Sequence, residues 1–257
     1  MDPNGIAALA KAAPEATREA YGDLASGTFK QAGKLGEDIA KLLRLVLFPV
    51  QFAAALQDRL VGYIDRAVRQ VPECQLTAPI ESIVLPIAEN LRFQETSNPI
   101  TDLYINLLSR AMDGERVGEA HPAFIGVISQ LAPDEVAFLR ELSRREYTLV
   151  LRMDDEWHTP TPAQIHEVFG QSDMPPRLIE KSNSIIFKYE SLNQPGMFYV
   201  FLEHLYHLGL VQYTNEPSSN GEYKGYNRSR NWPRFVFVRP SSFGNLFHKA
   251  CVSQRQG

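Results

Sequence analysis

The sequence predicts a mainly α-helical protein, with a multi-helix N-terminal region and a C-terminal module that carries a small antiparallel β-hairpin. Three observations carry that expectation. Residues 98–142 string together three short helices, each opened by a proline. Apolar residues recur at helical spacing through most of the first half. Near the C-terminus an apolar helix leads into two short β-rich runs with a polar loop between them.

Residues 1–20 are rich in alanine, contain Pro3 and Pro14 and show no sustained apolar stripe, so a flexible N-terminal arm is expected. Gly22, Gly27, Gly33 and Gly36 break the next stretch, and an amphipathic helix is expected over 37–47. Residues 51–71 put Leu56, Leu60, Tyr63, Ile64, Ala67 and Val71 on one helical face, and Pro72 ends that helix. Ile80, Ile83, Val84, Ile87 and Leu91 repeat the spacing over 78–92, where Pro86 must kink or split the helix.

The central stretch reads NPITDLYINLLSRAMD and then EAHPAFIGVISQLAPDEVAFLREL. Pro99, Pro122 and Pro133 each suit the first helical position, where a missing N–H costs nothing and φ is already helical. Ile100, Leu103, Tyr104, Leu107, Leu108 and Ala111 form one core-facing stripe; Phe124, Ile125, Ile128 and Leu131 form the next. Short helices of this kind are stable only when packed on one another, so the middle of a helical core is expected here.

The second half changes character. After the helix over 133–145 come TLVL and the polar DDEWHTPTP. Thr161 and Gln164 then make a capping box around Pro162, and Gly170 closes that helix. SIIFKYES (184–191) fits either a strand or a short buried helix. Residues 197–208 form an apolar helix stopped by Gly209. Residues 210–214 and 234–238 read as antiparallel strands, and Pro240 with Ser241 starts a last helix bearing Phe243, Leu246, Phe247, Ala250 and Cys251 on one face. Helix, strand, loop, strand and closing helix is the order of the second half of a winged-helix domain. The helices opened at Pro133 and Thr161 would supply the first half. The expected organisation is a flexible arm (1–20), a helical domain (21–118) and a winged-helix-like domain (119–257).

Composition limits the function. The chain has 257 residues, 44% of them hydrophobic, and a formal charge of −4. That is enough apolar material for a sizeable core. Cys74 and Cys251 are the two cysteines, which gives neither a disulfide framework nor a zinc knuckle and suits a reducing cytoplasm. The N-terminus has no ordered basic, apolar and cleavage regions, so no signal peptide is expected. The most apolar run, LVLFPVQFAAAL over 45–56, includes Phe48, Val50 and Phe52 but also Pro49 and Gln51. It falls short of the roughly 20 residues that a spanning helix needs.

Charge is unevenly spread. From Glu222 to Gly257 seven basic residues face one acid; of the totals of 26 and 30, that leaves 19 basic and 29 acidic residues before it. A C-terminal portion near +6 follows a body near −10, a pattern that suits an anionic partner. The basic segment NEPSSNGEYKGYNRSRNWPR lies between the two expected strands. It combines Lys224, Arg228, Arg230 and Arg234 with Tyr223, Tyr226 and Trp232. Cations interleaved with aromatic rings grip phosphates and stack on bases. The preceding helix carries no Arg, Lys, Asn or Gln to read bases, which argues against sequence-specific DNA binding. A long solvated loop is the plain alternative.

Other candidates carry less. His204 and His207 flank one helix face beside Glu203 and would need a third ligand from His158, His166 or His248; a solvent-facing polar stripe is the simpler reading. His121 sits where a ring nitrogen can cap the helix opened by Pro122. Asp113, Glu115 and Glu119 lack the spacing and glycine of a calcium loop, and a solvated charged loop is expected there. No nucleotide-binding, hydrolase or zinc-protease motif is present, so neither catalytic residues, a metal nor a cofactor is expected.

The strings P…LY.NLL..AMD and HP.F...I..L.PDE...L..L, together with YGDLASGTFKQAGKLGEDIAKLLRLVLFPV over 21–50, resemble the bacterial abortive infection alpha proteins, which are associated with defence against phage. The resemblance covers roughly residues 15–142. One departure is Ala132, where a small polar cap such as serine is expected before Pro-Asp-Glu; its loss gives up roughly 1 kcal/mol. The resemblance implies a role in anti-phage defence and supplies no catalytic residue. The expectation is therefore a cytoplasmic, non-enzymatic interaction protein whose basic wing contacts a phage or host protein, or nucleic acid without sequence preference. A homo-oligomer is compatible with the sequence. The alternative is a membrane-acting effector that exposes residues 45–56, with Phe48, Val50 and Phe52 meeting the bilayer.

Overall fold

The computed structural model describes residues 54–78, 80–145, 147–153, 156–161, 163–164, 186–214 and 234–252. The chain divides into two compact units. One comprises Met1–Leu131 with Lys249–Gly257, and the other is Ala132–His248.

In the first unit the described helices are α1 (Ala54–Arg69), α2 (Glu81–Leu91), α3 (Pro99–Ala111) and α4 (Ala123–Ile128). Helix α3 is the axis, packed against the other three. Asn98 caps it by accepting the Ile100 N–H at 3.0 Å, and Pro99 occupies the first turn. The expected stripe is buried, with Leu103 and Leu107 at 0% exposure. Burial goes further than a stripe, however: from Ile100 to Ala111 every residue except Asp102 is buried, including Asn106, Ser109 and Arg110. The helix expected in the middle of the core is thus there, and it is covered on nearly every side.

The neighbours follow the sequence closely. Leu60, Tyr63, Ile64, Ala67 and Val71 line the buried face of α1 and the turn after it. Helix α2 runs unbroken through Pro86, so the proline does not split it. Pro122 takes the cap position of α4 instead of its first turn, a one-residue correction, and His121 Nδ1 accepts the Ala123 N–H at 3.1 Å as expected of a capping ring.

The second unit holds α5 (Pro133–Ser143), α6 (Phe198–His207) and α7 (Ser242–Phe247) with a four-stranded antiparallel sheet. Its strands are β1 (Thr148–Met153), β2 (Glu156–His158), β3 (Val211–Thr214) and β4 (Arg234–Pro240), in the order β2-β1-β4-β3. The expected hairpin of β3 and β4 is present, with Tyr213 opposite Val238, but it is only half of the sheet. On the other side of β4 lies β1, which places Val150 opposite Val236. Thr148 to Leu151 are all buried, so this inner strand shows no alternation. Residues 186–191 form neither strand nor regular helix. They are irregular, with one 3-10 turn at Tyr189–Ser191, and they bury Phe187 against Phe138 with ring centroids 4.8 Å apart.

Glycine ends α6 as expected. Gly209 has φ of 72°, its N–H bonds Tyr206 O, and the Leu210 N–H reaches back to Leu205 O, which closes the helix by the Schellman pattern. Ser241 caps α7 by accepting the Gly244 N–H at 2.8 Å, and its hydroxyl donates to Gly209 O. A Cβ on Gly244 would lie 1.9 Å from Leu210 O, so α7 packs on the backbone after α6 where no side chain fits. Beyond α7 the chain continues in a π-helical turn, His248–Val252.

Candidate functional site

Three groups of polar or aromatic side chains stand out among the described residues. Two are buried and one is at the surface.

The first surrounds Arg110 in the first unit. This arginine, 1% exposed, lies 3.6 Å from the Glu119 carboxylate, which also takes two bonds from Arg116 at 3.1 and 2.7 Å. Arg116 extends to Lys249 O at 3.4 Å, and Asn106 donates to Cys251 O at 2.7 Å. The cluster therefore ties the C-terminal turn to α3. Burial pushes the Cys251 thiol well above its usual range, although the Arg110 guanidinium opposes the shift. Such a thiol stays protonated and is a poor nucleophile. Burial, helped by Cys251, likewise pushes Tyr104 up to about 12. These groups hold structure together. Asp113 is buried and accepts the Glu115 N–H, so the picture of a solvated acidic loop is corrected for Asp113 and Glu119 and holds for exposed Glu115.

The second group starts α5. Asp134 Oδ1 accepts the backbone and side-chain N–H groups of Asn193 at 3.0 and 2.7 Å, and Oδ2 accepts the Gln194 N–H at 2.8 Å. Glu135, 1% exposed, reaches back to the Ala132 N–H at 2.7 Å and accepts from His204 Nδ1 at 2.7 Å. An alanine side chain offers no acceptor, so only half of a capping box forms at Ala132. His204 is thereby committed to a buried carboxylate, which corrects its place on a solvent-facing stripe; His207 and Glu203 are exposed there as expected. No group of three His, Cys, Asp or Glu side chains among the described residues is arranged to hold a metal.

The third group lies on α6, β2 and β3. Tyr213 stacks on Tyr206 at 4.7 Å and meets Trp157 at 5.1 Å with the ring planes tilted by 32°, so Tyr213 contacts both other rings. The Trp157 indole N–H donates to Glu203 Oε1 at 3.0 Å. Tyr206 is 54% exposed and Val200 51%. The sequence showed these residues only as members of separate elements; nothing in their spacing signals that two edge strands bring their rings to one helix.

The family model for abortive infection alpha matches residues 51–251. The chain belongs to the abortive infection alpha family. The match begins after the 21–50 block and runs well past residue 142, so the buried acids, the sheet and the ring cluster of this abortive infection alpha protein all lie within the family's span. Neither the curated proteins nor the solved structures contain a match to it. In this family member the basic segment's Tyr223, Lys224, Tyr226, Arg228, Arg230 and Trp232 lie outside the described residues. Arg234 opens β4. Phe48, Val50 and Phe52 also lie outside them, and no described helix is long and apolar enough to cross a membrane.

Proposed function

We propose that this abortive infection protein acts in the bacterial cytoplasm as a non-enzymatic binding module. In this reading the second unit is winged-helix-like and its wing engages a protein or nucleic acid made during infection. The observation that carries the reading is the sheet order. The strand after the first helix, β1, pairs with β4, and β4 pairs with β3, while α6 directly precedes β3. That order supports the winged-helix-like reading, in which residues 215–233 take the place of the wing. Lys224, Arg228 and Arg230 then ride on the connection between β3 and β4, and Arg234 opens the returning strand. Helix α6, in the place of a recognition helix, exposes Glu203 and His207 in place of base-reading side chains, which favours backbone or protein contacts over sequence readout.

The test replaces Lys224, Arg228 and Arg230 together with glutamine. Cells carrying the variant should lose protection against phage. If nucleic acid is the partner, wild-type affinity should fall with salt at a log–log slope of about 0.9 per duplex phosphate neutralised, and the triple variant should flatten that slope. If protein is the partner, protection is lost although no nucleic-acid binding is measurable in the wild type. Full protection by the triple variant would defeat both forms.

A further inference from the structure

We propose that the C-terminal turn Lys249–Val252 is a releasable clasp on α3, which closes over a buried polar face of the first unit and opens without unfolding that unit. The device goes beyond the proposed binding function and does not depend on it.

The clasp returns to the first unit from a distance. That unit is built from Met1–Leu131 and takes back Lys249–Gly257 after the whole of Ala132–His248 has intervened. The returning turn meets its partners through backbone carbonyls. Asn106 Nδ2 donates to Cys251 O at 2.7 Å, and Arg116 donates to Lys249 O at 3.4 Å. Carbonyls at a helix end lack intrahelical partners, so side-chain donors can take and release them without breaking the helix's own bonds.

What the clasp covers is polar. Asn106, Ser109 and Arg110 stand at i, i+3 and i+4 of α3, on one face, and all three are buried. Ser109 donates to Asn106 O at 2.7 Å, and Arg110 Nη1 donates to Ser109 Oγ at 3.3 Å. The same guanidinium is near enough to act on the Cys251 thiol. Water solvates such a face readily, whereas exposure of an apolar one would be opposed. The closed state also carries a cost: Asn106 Oδ1 is buried with no hydrogen-bond partner among the described residues. Opening to water removes that penalty.

The hold is light. The buried side chains of the turn are Ala250 and Cys251, both small, so little apolar area keeps it down. Its backbone is π-helical, a rare geometry that is frequent at functional sites. Helix α7 runs on into the turn without a break, so a displacement of α7 draws both carbonyls off their donors. Together these features describe an element that leaves while the rest of its fold stays.

The experiment uses the full chain and its own cysteines. Cys74 is exposed and Cys251 is buried. Native protein is treated with iodoacetamide, and labelling at each cysteine is read by mass spectrometry. Hydrogen exchange of the α3 amides under the same conditions reports opening of the unit itself. Cys74 should label like a free thiol. Cys251 should label slowly, yet report an opening population roughly ten-fold or more above that of the α3 amides. Low urea should leave its rate nearly unchanged, because the opening exposes little surface. Asn106→Ala removes the donor and should speed Cys251 labelling by roughly three- to ten-fold relative to α3 exchange, the net contribution of one hydrogen bond. Ala250→Glu places a charged side chain where Ala250 is wholly buried; Cys251 should then label nearly as fast as Cys74, while the α3 amides keep wild-type protection. The proposal is overturned if wild-type Cys251 reacts only as often as α3 opens, or if Asn106→Ala leaves its labelling unchanged. It is equally overturned if Ala250→Glu exposes the α3 amides or fails to fold, because the turn would then be part of the core.

Discussion

Asp134→Asn isolates the contribution of a buried charge to the second unit. The carboxylate accepts three hydrogen bonds, two from Asn193 and one from Gln194. An asparagine can still accept from Asn193 through its oxygen, but its NH2 then faces the Gln194 N–H, donor against donor. Hydrogen bonds to a charged group contribute about 1.5–3 kcal/mol each, so about 2–4 kcal/mol should be lost at neutral pH. With a urea dependence of about 1–3 kcal/mol per molar for a unit of this size, the midpoint should fall by about 1 M or more. The assay is unusually clean, because Trp157 and Trp232, the only tryptophans, both lie in the Ala132–His248 unit. Tryptophan fluorescence therefore follows that unit's unfolding.

The pH dependence fixes the mechanism. Burial alone would raise the Asp134 pKa, but the bonds from Asn193 and Gln194 outweigh it and hold the group below the usual aspartate range. A lowered folded-state value means stability that is present above the unfolded value of about 3.9 and is lost as pH falls through the folded one. The gap between wild type and Asp134→Asn should thus be full at neutral pH and narrow as the solution is acidified below about pH 4. A gap of constant size from pH 6 to pH 3, or none at neutral pH, would refute the reasoning.

Two further outcomes follow from packing at helix ends. Gly244→Ala forces a Cβ to within 1.9 Å of Leu210 O, so α7 must shift; thermal melts should show a loss of roughly 1–3 kcal/mol, the usual cost of overpacking. Ala132→Ser supplies the missing acceptor opposite Glu135 and completes the capping box, which should stabilise the second unit by about 1 kcal/mol in the same urea assay.

Much of the helical architecture was legible because periodicity and caps act locally. The Pro99 and Pro133 starts, the Gly209 stop and the Ser241 cap each depend on a few adjacent residues. The Thr161–Gln164 capping box, with the Gln164 N–H on Thr161 Oγ1 at 3.2 Å and the Thr161 N–H on Gln164 Oε1 at 2.8 Å, was readable for the same reason. What could not be read is what depends on partners distant in sequence. TLVL gave no strand signal because both its faces are covered. The burial of Arg110 was not legible because nothing nearby reveals that α3 is enclosed. The pairing of Glu135 with His204 was hidden because the two lie 69 positions apart. The ring cluster was hidden in the same way, since its three members come from three elements.

The bond from Asn106 to Cys251 O has a consequence for synthesis on the ribosome. Helix α3 is made early, yet the turn that accepts the bond from its buried Asn106 and the bond from Arg116 emerges only after the entire second unit has been translated. The first unit cannot complete its packing at that edge until Lys249–Val252 have left the exit tunnel. Its final closure is long-range and hence slow.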